Sequence, residues 1–345
     1  MNNSVLLQIE NLQKHFIATK GLTRRVVGIV KAVDDVNLFI REGETLGLVG
    51  ESGCGKTTVG RCILRAIEPT AGKIYFKLDD NSVPVDICTL DNNRLKKVRR
   101  YMRLIFQDPY SSLNPRMNVM DIIAEPLIIN HLATKKNEIE EQVAETMVNV
   151  GLDPRHMRRY PHAFSGGQRQ RIAIARALVS EPKFVVADEP VSALDVSVQA
   201  QILNLLQELQ EKFHLTYLFI AHNLAVVEHI SERVAVMYVG KIVELADTEE
   251  LYATPKHPYT EALLSAASSP EVGYKEKKKR IILEGDVADP ANPPTGCYFH
   301  PRCRYAKEIC KIESPSLVNL SGNDNQPHYS ACHFAEQLIL AGISR

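Results

Sequence analysis

The sequence predicts an α/β protein whose sheet is at least partly parallel, with helices on its faces. Three observations predict it. Apolar runs of strand length (TLGLV, FVVADEP, YLFIAHN, RVAVMYVG) recur along the chain, with stretches of helical spacing between several of them. One of these runs leads through a glycine-rich turn into a helix. At 345 residues, 45% hydrophobic and 24% charged, the chain exceeds what one core usually covers, so a large domain plus a smaller one is expected.

Taken in order, VLLQIENL, AVDDVNLFI and ETLGLVG read as short strands within residues 5–50. Alternation in VDDVNLFI suits a half-buried strand, and TLGLV suits a fully buried one. A polar, glycine-containing insertion, ATKGLTRRVVGIVK, is expected between the first two. TTVGRCILRAI reads as a helix and GKIYFKLDD as a strand; RLKKVRRYMRLIFQDP is a basic helix running into a short strand that ends at Gln107. VMDIIAEPLII and NEIEEQVAETMVNVGL are helical, so a helical subdomain is expected at about 110–175. GGQRQRIAIARALVSEP is a further helix, leading into FVVADEP. Composition shifts near residue 266, where AASSPEVGYKEKKKR reads as a solvated linker and ADPANPP as a rigid turn-rich stretch. The expected division is 1–265 for the main domain and 266–345 for a C-terminal extension.

Lys+Arg and Asp+Glu are equal at 41 each, so no overall field draws the chain to nucleic acid or anionic lipid. The start, MNNSVLLQIENLQK, lacks the basic region and long apolar core of a signal peptide. No uncharged apolar run reaches the ~18 residues that cross a bilayer. A soluble, intracellular chain is expected, one that reaches a membrane only through a partner.

LGLVGESGCGKTTVGRCIL holds Gly50-x-x-x-x-Gly55-Lys56-Thr57 between an apolar strand and a helix, the context of a phosphate-binding loop. Glycines let the backbone curl so that N–H groups point at phosphate oxygens, and the helix N-terminus adds its dipole. The candidate nucleotide contacts are Gly50, Glu51, Ser52, Gly53, Cys54, Gly55, Lys56, Thr57 and Thr58. Lys56 would reach the β/γ-phosphates of ATP, and the Thr57 hydroxyl would bind Mg²⁺. In FVVADEP a buried strand delivers two carboxylates at its C-terminal end, the edge where ligands of open α/β sheets gather. Asp188 would hold the Mg²⁺ shell, and Glu189 would orient or deprotonate the attacking water.

Between these motifs lies PHAFSGGQRQRIAIARAL, and here the chain resembles the ATP-binding subunits of ABC transporters, whose signature reads LSGGQ. Phe164-Ser165-Gly166-Gly167-Gln168 departs from it only at the first, apolar position. Gln107 in IFQDP matches the family's Q-loop, Ser192-Ala193-Leu194-Asp195 its D-loop, and His222 in IAHN its switch histidine. Phe16, in LQKHF, is similar to the aromatic that stacks on adenine. The resemblance covers about residues 5–265. It implies an ABC-type P-loop fold: a mixed sheet core, an antiparallel β subdomain and a helical subdomain. It also implies that Ser165, Gly167 and Gln168 grip the γ-phosphate bound by another subunit, so that two chains close head-to-tail around two ATPs. Gln107 would bind Mg²⁺ and report the γ-phosphate to a membrane partner; His222 would contact that phosphate.

Narrower resemblance comes from VKAVDDVNLFI, QDPYSSLNPRMNVMDII and ATPKHPYTEALLSA, which look like the oligopeptide/dipeptide importer branch, and within it the F-type ATPase. That branch implies a second, different ATPase subunit, two transmembrane permease subunits and an external solute-binding protein, with this chain peripheral on the cytoplasmic face. Tyr110 to Met120 is the candidate contact with the membrane partner, unless those residues merely pack the helical insert. Nickel or oligosaccharide import is the alternative cargo. A soluble ATPase acting on nucleic acid or ribosomes is the rival class, but the chain has one phosphate loop and no sustained heptads. An electron-transfer protein with an ATPase attached is a third reading, and no flavin or second cluster site supports it.

Four of seven cysteines fall in the last fifty residues. Cys54, Cys62 and Cys88 are scattered, whereas Cys297, Cys303, Cys310 and Cys332 run C-x5-C-x6-C-x21-C. In a reducing cytosol that leaves metal ligation or accident. The spacing is neither the paired form of common zinc ribbons nor the bacterial ferredoxin run, and by itself leaves Zn²⁺ slightly ahead of an iron–sulfur cluster. The importer branch carries a C-terminal CxFxPRC segment like CYFHPRC here, and this implies a [4Fe–4S] cluster on the four cysteines. A structural staple for a small polar module is the expected role, with redox sensing as the alternative.

Overall fold

The computed structural model describes residues 4–20, 25–79, 82–267, 281–323 and 326–343. The KEKKKR run read as a linker lies outside them. In chain order, strands β1 (Val5–Lys20), β2 (Arg25–Arg41) and β3 (Thr45–Val49) precede helix α1 (Lys56–Ile63) and β4 (Ala71–Phe76). β5 (Val85–Asp86), α2 (Asn92–Arg99), β6 (Met102–Ile105) and α3 (Pro109–Ser112) follow. Three helices come next: α4 (Val119–Ile129), α5 (Lys136–Asn149) and α6 (Gly166–Leu178). β7 (Phe184–Asp188), α7 (Val196–Phe213), β8 (Thr216–Ala221), α8 (Leu224–Ile230), β9 (Arg233–Tyr238) and β10 (Lys241–Asp247) alternate after them. The chain finishes with α9 (Thr248–Ala253), α10 (Pro258–Ala267), α11 (Glu308–Ile312), β11 (Val318–Asn319) and β12 (Tyr329–Ser330).

These elements form two compact units. The first takes residues up to Leu7, Ile40–Thr45 and Tyr75–Ile220; the second takes Gln8–Phe39, Leu46–Ile74 and Ala221 onward. In the first unit β8, β7 and β6 lie side by side and parallel, with Val185 opposite Tyr217 and Arg103. All five residues of β7 and all six of β8 are buried, which is why both read as unbroken apolar runs. Helix α4 packs on α5 and α6. Its Asn118 caps the first turn by accepting from the Asp121 N–H at 2.9 Å.

In the second unit the strands run in the order β11-β12-β10-β9-β3. β3 is parallel to β9, β10 is antiparallel to β9, and β12 is antiparallel to β10, so the sheet is mixed. A bulge between Ile242 and Glu244 interrupts the β9–β10 register. There the Val243 carbonyl accepts a bond from the Ala331 N–H at 2.8 Å, which ties the C-terminal region to the sheet. Glu244 is fully buried beside it, and its carboxylate accepts from the Lys256 and His257 amides and lies 2.7 Å from His328 Nε2.

Two elements differ from the sequence reading. The expected insertion after Phe16 is mostly strand: β1 runs on to Lys20 and β2 starts at Arg25. Ile17, Ile29 and Val30 there favour an extended backbone. Helix α7 is 18 residues long and was not anticipated. Its stripe of Ile202, Leu205, Leu206 and Leu209 is buried at i, i+3, i+4, i+7 spacing.

Candidate functional site

Buried β3 delivers the chain into the loop at Gly50, and α1 begins at Lys56. Two glycines are required by space and by backbone angle. A Cβ on Gly50 (φ 151°) would lie 2.2 Å from the Met237 carbonyl oxygen, and one on Gly55 (φ 113°) would lie 2.1 Å from that of Ala32. Gly53 also has a positive φ, but nothing stands within 4 Å of its Cβ position. Lys56 is only 4% exposed, and its ammonium donates to the carbonyls of Gly50 at 2.8 Å and Glu51 at 3.0 Å. The charge is thereby held over the loop, where an anion would be attracted. Cys54 is buried beside it, with Sγ 3.9 Å from Lys56 Nζ; burial pushes this thiol up, against the pull of the ammonium. Ser52 is exposed, and Thr57 and Thr58 are half-buried at the start of α1. Phe16 is 39% exposed, with Lys14 Nζ 4.9 Å from its ring centre.

The first unit carries the carboxylates. Asp188 ends β7 and is 4% exposed. Glu189 follows with φ 47°, a left-handed conformation that costs a non-glycine residue about 1–2 kcal/mol. Its N–H donates to the Ile220 carbonyl at 2.9 Å, and its own carbonyl accepts from the Ser192 N–H and hydroxyl. Gln107, two residues past β6, donates from Nε2 to Glu189 Oε2 at 2.9 Å. The structure therefore joins two predicted residues that are 82 positions apart. His222 is exposed, one residue after β8.

Ser165 caps α6 in a reciprocal box, since its hydroxyl accepts from the Gln168 N–H and its own N–H donates to Gln168 Oε1 at 3.0 Å. Phe164 is buried at 6%, so the first position of the signature tolerates a phenylalanine as an apolar plug. A Cβ on Gly166 would find its nearest neighbour, Leu194 Cδ2, at 3.6 Å, whereas one on Gly167 would meet Val198 Cγ1 at 2.6 Å. Asp195 caps α7, accepting from the Val198 N–H at 3.0 Å and the Ser197 hydroxyl at 2.9 Å. In Tyr110–Met120, Tyr110 is 59% exposed under the Arg169 guanidinium, while Leu113, Val119 and Met120 are buried.

Comparison with known proteins decides what this geometry belongs to. Residues 33–192 match the family model described as "ABC transporter", and residues 243–310 match "Oligopeptide/dipeptide transporter, C-terminal region". The chain is 50% identical to the oligopeptide transport ATP-binding protein AppF of Bacillus subtilis, over 96% of this chain and 98% of that protein. The chain belongs to the ABC transporter ATP-binding proteins. Sinorhizobium fredii has another similar protein, named "Probable peptide ABC transporter ATP-binding protein y4tS", at 46% identity over 99% of this chain and 93% of that one. The solved dimeric structure of the ATP-binding cassette MJ0796, bound to ADP and Pi, superposes with a TM-score of 0.61 at 30% identity. It covers 70% of this chain and 99% of that one. The resemblance read from the motifs is thus correct, and the chain is an ABC-type ATPase. Among the described residues no helix is long and apolar enough to cross a membrane.

The C-terminal cysteines of this ABC protein converge. Cys297, Cys303, Cys310 and Cys332 line one cavity, with Phe299, His257 and Phe334 among the other walls. The Cys297 N–H donates to the Cys310 carbonyl at 2.8 Å, and Gly296 (φ 70°) makes room for that approach. Burial, reinforced by the neighbouring cysteines, pushes the Cys303 thiol up to about 12 and Cys332 up to about 11. Among the described residues, no group of three or more His, Cys, Asp or Glu is arranged to hold a metal ion.

Sequence reasoning missed what supports the phosphate loop. The Glu51 N–H donates to the Tyr259 hydroxyl oxygen at 2.9 Å, and the Glu51 carboxylate takes two bonds from Arg302, at 2.7 and 3.0 Å. Phe299 packs on Tyr259 and Tyr238, each at 5.3 Å between ring centres. CYFHPRC contains both Phe299 and Arg302, so the signal was a motif longer than its cysteines require.

Proposed function

We propose that this ATPase energises import of di- and oligopeptides through a membrane ABC transporter. The observation that carries the cargo class is the 50% identity to an oligopeptide transport ATP-binding protein along nearly the whole chain, the C-terminal region included. In this reading Lys56 and the loop amides bind the ATP phosphates, and Phe16 stacks on adenine. Thr57, Gln107 and Asp188 hold Mg²⁺, which neutralises phosphate charge when bound. Glu189 takes the proton of the attacking water, and the bond from Gln107 orients its carboxylate. Ser165, Gly167 and Gln168 offer a capped helix N-terminus to the nucleotide of a second ATPase subunit, and His222 contacts the γ-phosphate. The second subunit is a different ATPase, the permease pair is reached through the Tyr110 region, and the chain sits on the cytoplasmic face of the membrane.

The four cysteines hold a [4Fe–4S] cluster in this reading. Support comes from their convergence on a cavity rather than on a point, since each iron of such a cluster takes one thiolate at its own corner. Thiols pushed up as far as Cys303 and Cys332 also need a cation before they serve as thiolates. Anaerobic purification with iron, zinc and sulfide quantified is expected to give iron and sulfide, lost on Cys303→Ser. Zinc alone would exclude the cluster.

Uptake of a radiolabelled tripeptide by cells lacking this gene tests the cargo. Complementation by the wild-type gene and not by Glu189→Gln is expected. Restored nickel or oligosaccharide uptake, with peptide uptake unmoved, would overturn the cargo and leave the ATPase standing.

A further inference from the structure

Glu51 is an anion inside a loop that serves anions. It is the second residue of Gly50–Thr57, and an unpaired carboxylate there opposes the charge of ATP. The chain solves this from 251 residues away. Arg302 grips Glu51 with a two-pronged contact, and its side chain is only 7% exposed against 27% for Glu51. The same short turn, His300–Arg302, follows Phe299, whose ring is 2% exposed and backs Tyr259. Tyr259 in turn fixes the Glu51 backbone. One turn of the C-terminal region therefore addresses both the side chain and the main chain of a single loop residue.

We propose that Arg302 is a positioning residue for ATP: by neutralising and holding Glu51 it sets nucleotide affinity, without taking part in the hydrolytic step. The inference rests on Gly50–Thr57 being the ATP phosphate site. It assigns the C-terminal region a part in nucleotide binding. The mechanism is electrostatic as well as steric, so removing Glu51's charge compensates for the loss of Arg302.

The test compares wild type, Arg302→Met, Arg302→Lys and the double variant Arg302→Met/Glu51→Gln, all full length and checked by thermal melting. ATP affinity is read by displacement of a fluorescent ATP analogue, and KM and kcat in the assembled transporter. Arg302→Met is expected to weaken ATP binding about tenfold and raise KM likewise, with kcat changed less than about twofold. Arg302→Lys, which keeps the charge and loses the fork, is expected to lose about threefold. Glu51→Gln placed in Arg302→Met is expected to recover most of the loss. A double variant as weak as Arg302→Met, or weaker, would overturn the proposal, because a purely structural clamp has nothing for Glu51→Gln to rescue. So would a fall in kcat with KM unmoved. If Arg302→Met does not fold, Arg302→Gln with and without Glu51→Gln carries the same comparison. Wild type that binds no ATP would instead sink the phosphate-site reading.

Discussion

The phosphate loop and the signature segment are both glycine-containing turns before a helix, yet they are built differently. The loop is enclosed by its own chain: Gly50 and Gly55 press on the Met237 and Ala32 carbonyls, and Lys56 is buried. The signature segment is more open, with Ser165 and Gln168 exposed and a Cβ on Gly166 3.6 Å from its nearest neighbour, although one on Gly167 would meet Val198 Cγ1 at 2.6 Å. In the proposed reading the first surface binds ATP within one chain and the second is completed by another subunit. The difference then separates ATP binding from turnover.

The sharpest way to break that comparison is Glu189→Gln. Turnover in the assembled transporter is expected to fall about a thousandfold, while ATP affinity of the isolated chain changes little. Equal loss of both, measured by ATPase assay and nucleotide displacement, would merge the two regions. Gly55→Ala comes next. Its Cβ meets backbone at 2.1 Å under a positive φ, so ATP binding is lost and stability falls by about 2–4 kcal/mol, visible as a lower Tm. Gly166→Ala is the matched control on the open side. Tm and ATP affinity of the isolated chain are expected to stay put while transporter turnover drops; a Tm fall like that of Gly55→Ala would show that the signature is packed after all.

The smallest effect concerns Asp195, the cap of α7. Its amide and hydroxyl donors hold the carboxyl below the usual carboxylate range. A group whose folded value is depressed stabilises above its unfolded value and loses that contribution as pH falls through the folded one. Asp195→Ala is therefore expected to lower Tm at pH 7, with the gap to wild type closing towards pH 3. A gap independent of pH would assign the loss to helix propensity alone.

Much of this was legible from residues because its signals are local. The loop, the β7 carboxylates and the capped α6 each carry their cause within a dozen positions: a buried run, a glycine that only one backbone angle accepts, a Ser-x-x-Gln box. What escaped was non-local or unmarked. The Gln107–Glu189 bond spans 82 positions and the Arg302–Glu51 pair 251, so no periodicity announces either. β11 and β12 are two residues each, too short for alternation to register. Helix α7 was not read from the sequence although its apolar stripe is regular. The stretch after Phe16 misled through its glycines and charges, where extended backbone prevailed.

The strand order of the second unit has a consequence for how the protein is made. Its pieces come from the first quarter and the last third of the chain, and β12 closes against β10 only at residues 329–330. At a synthesis rate of ~10 residues per second, about 30 s separates the emergence of the phosphate loop from that of its last neighbouring strand. For the last ~8 s of that interval, between the emergence of β10 and that of β12, the edge of β10 is open to any other extended chain. A nascent chain stalled before Arg302 leaves Glu51 without its partner, so the pair that braces this loop is completed only by the last eighth of the message.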